Sequence, residues 1–156
     1  IAGARIADPF FSGEAGMFRH GYTYSGHATA TAAAHPNLDI LEREKLPARA
    51  LELEKELTEA LAPLADHPIV SEVRSGLGVV AGVQPDPELV AADATLPDRL
   101  RLACREHGVL TRTLVGGALQ ISPSLIVTRA QLDEITVGIG AALDQVAATV
   151  TAGAAG

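Results

Sequence analysis

The residues best suited to chemistry are gathered in one stretch, His20-Gly21-Tyr22-Thr23-Tyr24-Ser25-Gly26-His27. It is polar, aromatic and broken by glycine, which fits neither an amphipathic helix nor an alternating strand. Such text in mid-domain marks a loop at a site. Thr23 is its chemical centre. A hydroxyl together with successive backbone amides beside glycine can hold a phosphate, because amides in such turns point at an anion. An aromatic loop packed on a neighbour would explain the same residues. His20 and His27 would share a face only on a helix, which the glycines oppose, so they are read as hydrogen-bonded loop histidines and no metal site is expected.

Other common sites are missing from the text. No glycine-rich loop leads into Lys and Ser/Thr, and neither a dinucleotide fingerprint nor paired cysteine ligands can be found. The single cysteine, Cys104, excludes an internal disulfide, suits a reducing, cytoplasmic setting, and is read as a small helix residue. The balance is acidic, with 12 Lys+Arg against 19 Asp+Glu and no cluster of cations, so no nucleic-acid partner is expected. No apolar run reaches the roughly 18 residues of a membrane span. The opening Ile1-Ala2-Gly3-Ala4-Arg5 has no basic region and no initiator Met, and is too short for a signal peptide. It reads as a strand end cut from a longer chain.

The elements that must position these residues follow from spacing. At 156 residues, 47% hydrophobic and 20% charged, the chain fits one compact domain or a small domain with part of another. Asp8-Pro9 should close the first strand end, and Ser12 to Met17 should be loop. A helix opens near Ala28, and Pro36 should kink or end it. Another starts near Pro47, with Ala50, Leu53, Leu57, Ala60 and Leu64 as its buried stripe and Arg43, Glu44, Lys45, Lys55 and the glutamates around them on solvated faces. Asp66-His67-Pro68 stops it.

From Ile69 to Gln84 the β-branched residues predict two strands bent at Gly76-Leu77-Gly78. Residues 85–96 read as loop. A helix from Pro97 ends at His107-Gly108 with a left-handed glycine cap. Val109–Arg112 and Ala118–Ile121 predict a hairpin across Gly116-Gly117, ended by Ser122-Pro123. Thr128 and Gln131 have capping-box spacing, and Leu132, Ile135, Ile139, Leu143, Val146 and Val150 form the face of the last helix, which should fray from Thr151. The order β-β-α-β-β-α predicts an α+β fold: a small antiparallel sheet holding both strand pairs, with helices on one face.

The stretch from His20 to His27 closely resembles the motif of class III aminotransferases, the omega-transaminase branch above all. Asn37-Leu38-Asp39-Ile40-Leu41-Glu42 is similar to the text that follows it in that family. Val73-Arg74-Ser75-Gly76-Leu77-Gly78 looks like the family's small-domain strand and turn. Arg105 to Arg112, and Ile121-Ser122-Pro123-Ser124-Leu125-Ile126-Val127-Thr128, match two further segments in the same order. Together they cover nearly the whole chain. Ala28 and Ser124 stand where the family has proline, and Pro36 lies in a helix that the family keeps continuous. These departures touch the backbone and remove no functional group.

The resemblance implies the carboxy-terminal portion of a fold-type I enzyme with pyridoxal 5'-phosphate as cofactor, acting as a homodimer with its active sites at the interface. Residues 1–35 would be the end of the large cofactor-binding domain, 36–65 connecting helices, and 66–156 the small C-terminal α/β domain. Thr23, with Tyr22 beside it, would reach the cofactor phosphate of the partner subunit; a hydroxyl and an amide suit a dianion without titrating. Arg112 resembles the mobile arginine that pairs with a substrate carboxylate, a task for a planar guanidinium on a long stem. Its place beside a flexible Gly116-Gly117 turn suits movement, while Arg74 is read as structural.

No catalytic residue is assigned. The family tethers its cofactor to a lysine upstream of the Thr23 motif, and this chain has only Lys45 and Lys55, both on charged helix faces. An imine-forming lysine must be desolvated or electrostatically activated. The chain alone is therefore expected to be inactive and to need the amino-terminal portion of its parent. That parent would move an amino group from an amine or amino acid to a keto acid such as pyruvate. Two alternatives stand beside this: a non-catalytic dimerisation or interaction module, suggested by the missing lysine, and a pyridoxal-phosphate-dependent aminomutase of the same fold, against which Arg112 argues.

Overall fold

The computed structural model describes the backbone of residues 3–154 and the side chains of residues 3–150. The chain divides into two units, Ile1–Ile40 and Leu41–Gly156.

In the first unit, α1 (Ala4–Ser12) ends at Gly13, whose φ of 86° makes the left-handed cap. This corrects the strand end expected from Ala4 to Pro9; Ile1 and Ala2 lie outside the described residues. Pro9 sits inside the helix. Helix α2 (Ala28–Arg43) likewise runs through Pro36 instead of ending there. A proline strips one donor from a helix, but the carbonyl it leaves open can be hydrated where the helix is exposed. Neither helix buries a side chain.

The second unit holds the core. Helix α3 (Leu46–Leu61) begins with Pro47 in its first turn and buries Leu53, Leu57, Ala60 and Leu61. Ala50 is only half-buried, and the stripe ends on Leu64 in a 3-10 turn over Ala62–Asp66. Strands β1 (Val70–Arg74) and β2 (Ala81–Pro85) follow. The predicted bend between them is made by Gly76 and Gly78 at φ of 85° and 82°.

Residues 85–96 are not all loop. Helix α4 (Pro87–Ala92) forms there because the Asp86 carboxylate accepts from the Glu88 amide at 2.7 Å and Pro87 presets the first turn. Helix α5 (Leu96–Glu106) ends as expected, with Gly108 at φ 82°. The hairpin of β3 (Arg112–Thr113) and β4 (Leu119–Ile121) turns over Gly116 and Gly117. Helix α6 (Arg129–Ala154) opens with the predicted box: Thr128 N donates to Gln131 Oε1 at 2.9 Å, and Gln131 N donates to Thr128 Oγ1 at 3.3 Å. Its backbone stays helical past Thr151, where fraying was expected.

Both strand pairs share one four-stranded antiparallel sheet in the order β1-β2-β4-β3. Alternation separates its faces. Val83 and Leu119, paired across β2 and β4, are fully buried in a cluster with Leu57, Leu100, Ile139 and Leu143 from α3, α5 and α6. The opposite row sets Arg74, Gly82, Gln120 and Arg112 side by side. The two arginines in that row are exposed. The helices therefore cover one face and leave a polar face open.

Candidate functional site

In the first unit, residues 23–26 form a turn made by local hydrogen bonds. Ser25 N donates to Tyr22 O and Tyr22 N donates to Ser25 Oγ, both at 3.0 Å, so residues 22 and 25 clasp each other. Gly26 follows at φ 79° and lets the chain reverse into α2. His27 caps that helix: its Nδ1 accepts from the Ala30 amide at 3.2 Å. When neutral, the ring must therefore carry its proton on Nε2. Phe10, Phe18, His20 and Tyr22 stack edge to face in sequence, with centroids 5.3, 5.8 and 5.2 Å apart. Both histidines thus have local structural partners. Among the described residues no cluster of three metal-ligating side chains occurs.

Thr23 is left open by this framework. It is exposed, and neither its hydroxyl nor its amide makes a hydrogen bond among the described residues. Two neutral donors at the head of a fixed turn are a suitable set for a phosphate, since they hold charge without titrating.

In the second unit, Arg112 stands on the open face of the sheet at the edge strand. Its Nε donates to Gln120 Oε1 at 2.7 Å, and Gln120 Nε2 donates to Ser122 Oγ at 2.8 Å. No carboxylate of the described residues pairs with it. Arg74, in the same row, is neutralised by Glu72 at 2.6 Å and lies over Gly82, where its Nη2 would be 3.5 Å from an added Cβ. The turn beside Arg112 is anchored, contrary to its expected flexibility. Gln84 Nε2 donates to Gly116 O at 2.8 Å, Leu114 N donates to Ala118 O at 2.8 Å, and Gly117 is buried against Pro97 and Val90. Tyr22 and Thr23 belong to the first unit and Arg112 to the second.

The two lysines offer no substitute for a tethering residue. Both are exposed: Lys45 occupies the left-handed position before α3, and Lys55 lies on the wet face of α3. Gln120 and Gln84 were missed by sequence reasoning. Counting outward from Gly116-Gly117 would have set Ile121 opposite Arg112, whereas the observed register is centred on Gly116 and pairs Arg112 with Gln120; nothing in the text marks Gln84.

The model of the family "Aminotransferase class-III" matches residues 1–143. The chain belongs to the class III aminotransferases. Relatives include a putrescine–pyruvate aminotransferase of Pseudomonas aeruginosa, 37% identical over 89% of this chain and 31% of the relative. An omega-aminotransferase of Caulobacter vibrioides is 36% identical over 81% of this chain and 28% of its own length. The chain thus spans about a third of the length of such aminotransferases. Among solved structures, the omega transaminase of Pseudomonas jessenii in complex with PMP is 34% identical with a TM-score of 0.73, covering 94% of this chain and 32% of that one. A transaminase from ancestral reconstruction reaches a TM-score of 0.74 at 36% identity, covering 96% of this chain and 35% of that one. The small antiparallel sheet with helices on one face is therefore the fold of these fold-type I enzymes. Class III aminotransferases use pyridoxal 5'-phosphate. Among the described residues no helix is long and apolar enough to cross a membrane.

Proposed function

We propose that this chain supplies two binding elements of a transaminase that carries an amino group from an amine or amino acid to a keto acid such as pyruvate. Thr23 anchors the cofactor phosphate and Arg112 pairs with the carboxylate of the acceptor. The observation that carries the reading is the open state of Thr23, whose hydroxyl and amide make no hydrogen bond among the described residues, at the head of a turn clasped by Tyr22 and Ser25. The cofactor, when bound, supplies the electron sink for the bond changes at the amine carbon. This chain binds and orients. Thr23 donates to phosphate oxygens, Tyr22 keeps the turn in place by stacking on His20, and Arg112 offers paired N–H groups to a carboxylate.

In this reading residues 1–35 are the end of the large cofactor-binding domain, 36–65 connect, and 66–156 form the small domain. The tethering lysine comes from an amino-terminal portion of the parent chain, so the isolated chain does not transaminate. A homodimer with the active site at its interface places Thr23 against the partner's cofactor. The exposed rings of Phe11, Phe18, Tyr22 and Tyr24 supply apolar area for that contact. The setting is cytoplasmic.

The test uses the full-length polypeptide bearing this segment. Replacing Thr23 by Val keeps the shape and removes the hydroxyl. Cofactor affinity, measured by equilibrium dialysis, should fall roughly tenfold or more, as expected for a lost hydrogen bond to a charged group. Affinity within twofold of the parent enzyme would remove Thr23 from the site. Failure to move nitrogen from any amine to pyruvate, with cofactor bound, would remove the transaminase reading.

A further inference from the structure

The guanidinium of Arg112 is held by one side chain, and the way it is held is informative. Its Nε can only donate, so the atom of Gln120 facing it at 2.7 Å must be the amide oxygen. That leaves Gln120 Nε2 to donate, and it does so to Ser122 Oγ at 2.8 Å. The amide is thereby used at both ends and its orientation is fixed. The Gln120 backbone is also held, its carbonyl accepting from Thr111 Oγ1 at 2.6 Å. Gln120 lies opposite Arg112 on one side and Gly82, which has no side chain, on the other. It lines an open cavity of about 250 Å³ with Arg74 and Leu114.

A guanidinium meets a carboxylate either through Nε and one terminal nitrogen or through its two terminal nitrogens. With Nε occupied by Gln120, the side-on mode is closed and the end-on pair is presented. The neutral amide fixes the plane of the group without cancelling its charge, which a carboxylate at position 120 would do. We propose that Gln120, braced by Ser122, is a positioning residue that orients Arg112 for end-on capture of the acceptor carboxylate. This rests on the reading of Arg112 as the carboxylate-pairing residue.

The experiment compares Gln120→Met, Gln120→Glu and Arg112→Gln in the cofactor-loaded full-length enzyme, with pyruvate and an uncharged aldehyde as alternative acceptors. Gln120→Met should raise the pyruvate KM by roughly three- to tenfold, less than the full worth of a charge-assisted bond because the pair is exposed. The aldehyde KM should hold within twofold. Gln120→Glu should raise the pyruvate KM further, since its charge occupies Arg112. Equilibrium binding of butanoate, measured by calorimetry, should weaken in the same order while that of butanamide stays constant. Should Gln120→Met fail to fold, Ser122→Ala removes the brace and should move the pyruvate KM in the same direction. An unchanged or lowered pyruvate KM in folded Gln120→Met overturns the inference. If Arg112→Gln still raises that KM, the Arg112 reading survives alone; if Arg112→Gln leaves it unmoved, both fall.

Discussion

The side chains that matter here differ in whether their polar atoms are already engaged. Thr23 is unengaged, Arg112 is engaged at one atom and open at two, and Arg74 is closed by Glu72. Cys104 illustrates the buried extreme. It is fully buried on α5, and loss of solvent pushes its thiol from 9.0 up to about 11. It should therefore ignore an exposed-thiol reagent at pH 8 until the chain is unfolded. The sign of its pH effect is fixed by the same shift. Above the unfolded value near 9.0 the unfolded chain releases this proton while the folded chain keeps it until about 11, so stability falls as pH rises through that window. The loss amounts to on the order of 2 kcal/mol and should be visible as a declining urea midpoint. Cys104→Ala should flatten that decline; an equally steep fall would assign it to other groups.

At the level of elements, close approach decides more than propensity. Gly138 of α6 has no room for a Cβ, which would lie 2.6 Å from Val109 Cγ2 and 2.7 Å from the His107 carbonyl oxygen. Backbone cannot yield as a flexible side-chain tip can. Gly138→Ala should cost about 1–3 kcal/mol in overpacking, partly offset by about 1 kcal/mol of helix propensity. A lower melting temperature is the expected result, and an unchanged one would show that the loop moves aside. What could be read from the sequence follows the same division. The stripes of α3 and α6, the capping box at Thr128, and the hairpin at Gly116-Gly117 were legible because each is a local pattern with one geometric solution. Helix α4 was hidden because six residues are too few for a period, although Asp86-Pro87 is a start signal. Helix α1, and the continuation of α2 past Pro36, were not legible, since the cost of a lost donor depends on exposure, which composition does not reveal. The glycine-broken loop around Thr23 was legible as neither helix nor strand; the hold of Gln120 on Arg112 required the register of the sheet.

For the molecule as a whole, the two units differ in kind. Leu41–Gly156 has a continuous apolar core drawn from α3, the sheet, α5 and α6, whereas the helices of Ile1–Ile40 bury no side chain. A segment with several exposed aromatic rings and no interior of its own gains stability only from a surface supplied elsewhere. Limited proteolysis of the whole chain should thus cut first within residues 1–40. A first cut within residues 41–156 would contradict this.

Under the proposed role of Arg112, the tether from Gln84 to the Gly116 carbonyl, together with the seat of Gly117 against Pro97, has a bearing on which acceptors would be served. A strand edge pinned from two directions does not travel, so only the stem of Arg112 can extend or fold back. The radius swept by that arm, measured from a stationary base on β3, then becomes a ruler. In that proposed role the distance from an acceptor's keto carbon to its carboxylate would be gauged against it, and an acceptor too short or too long would find its charge unmet.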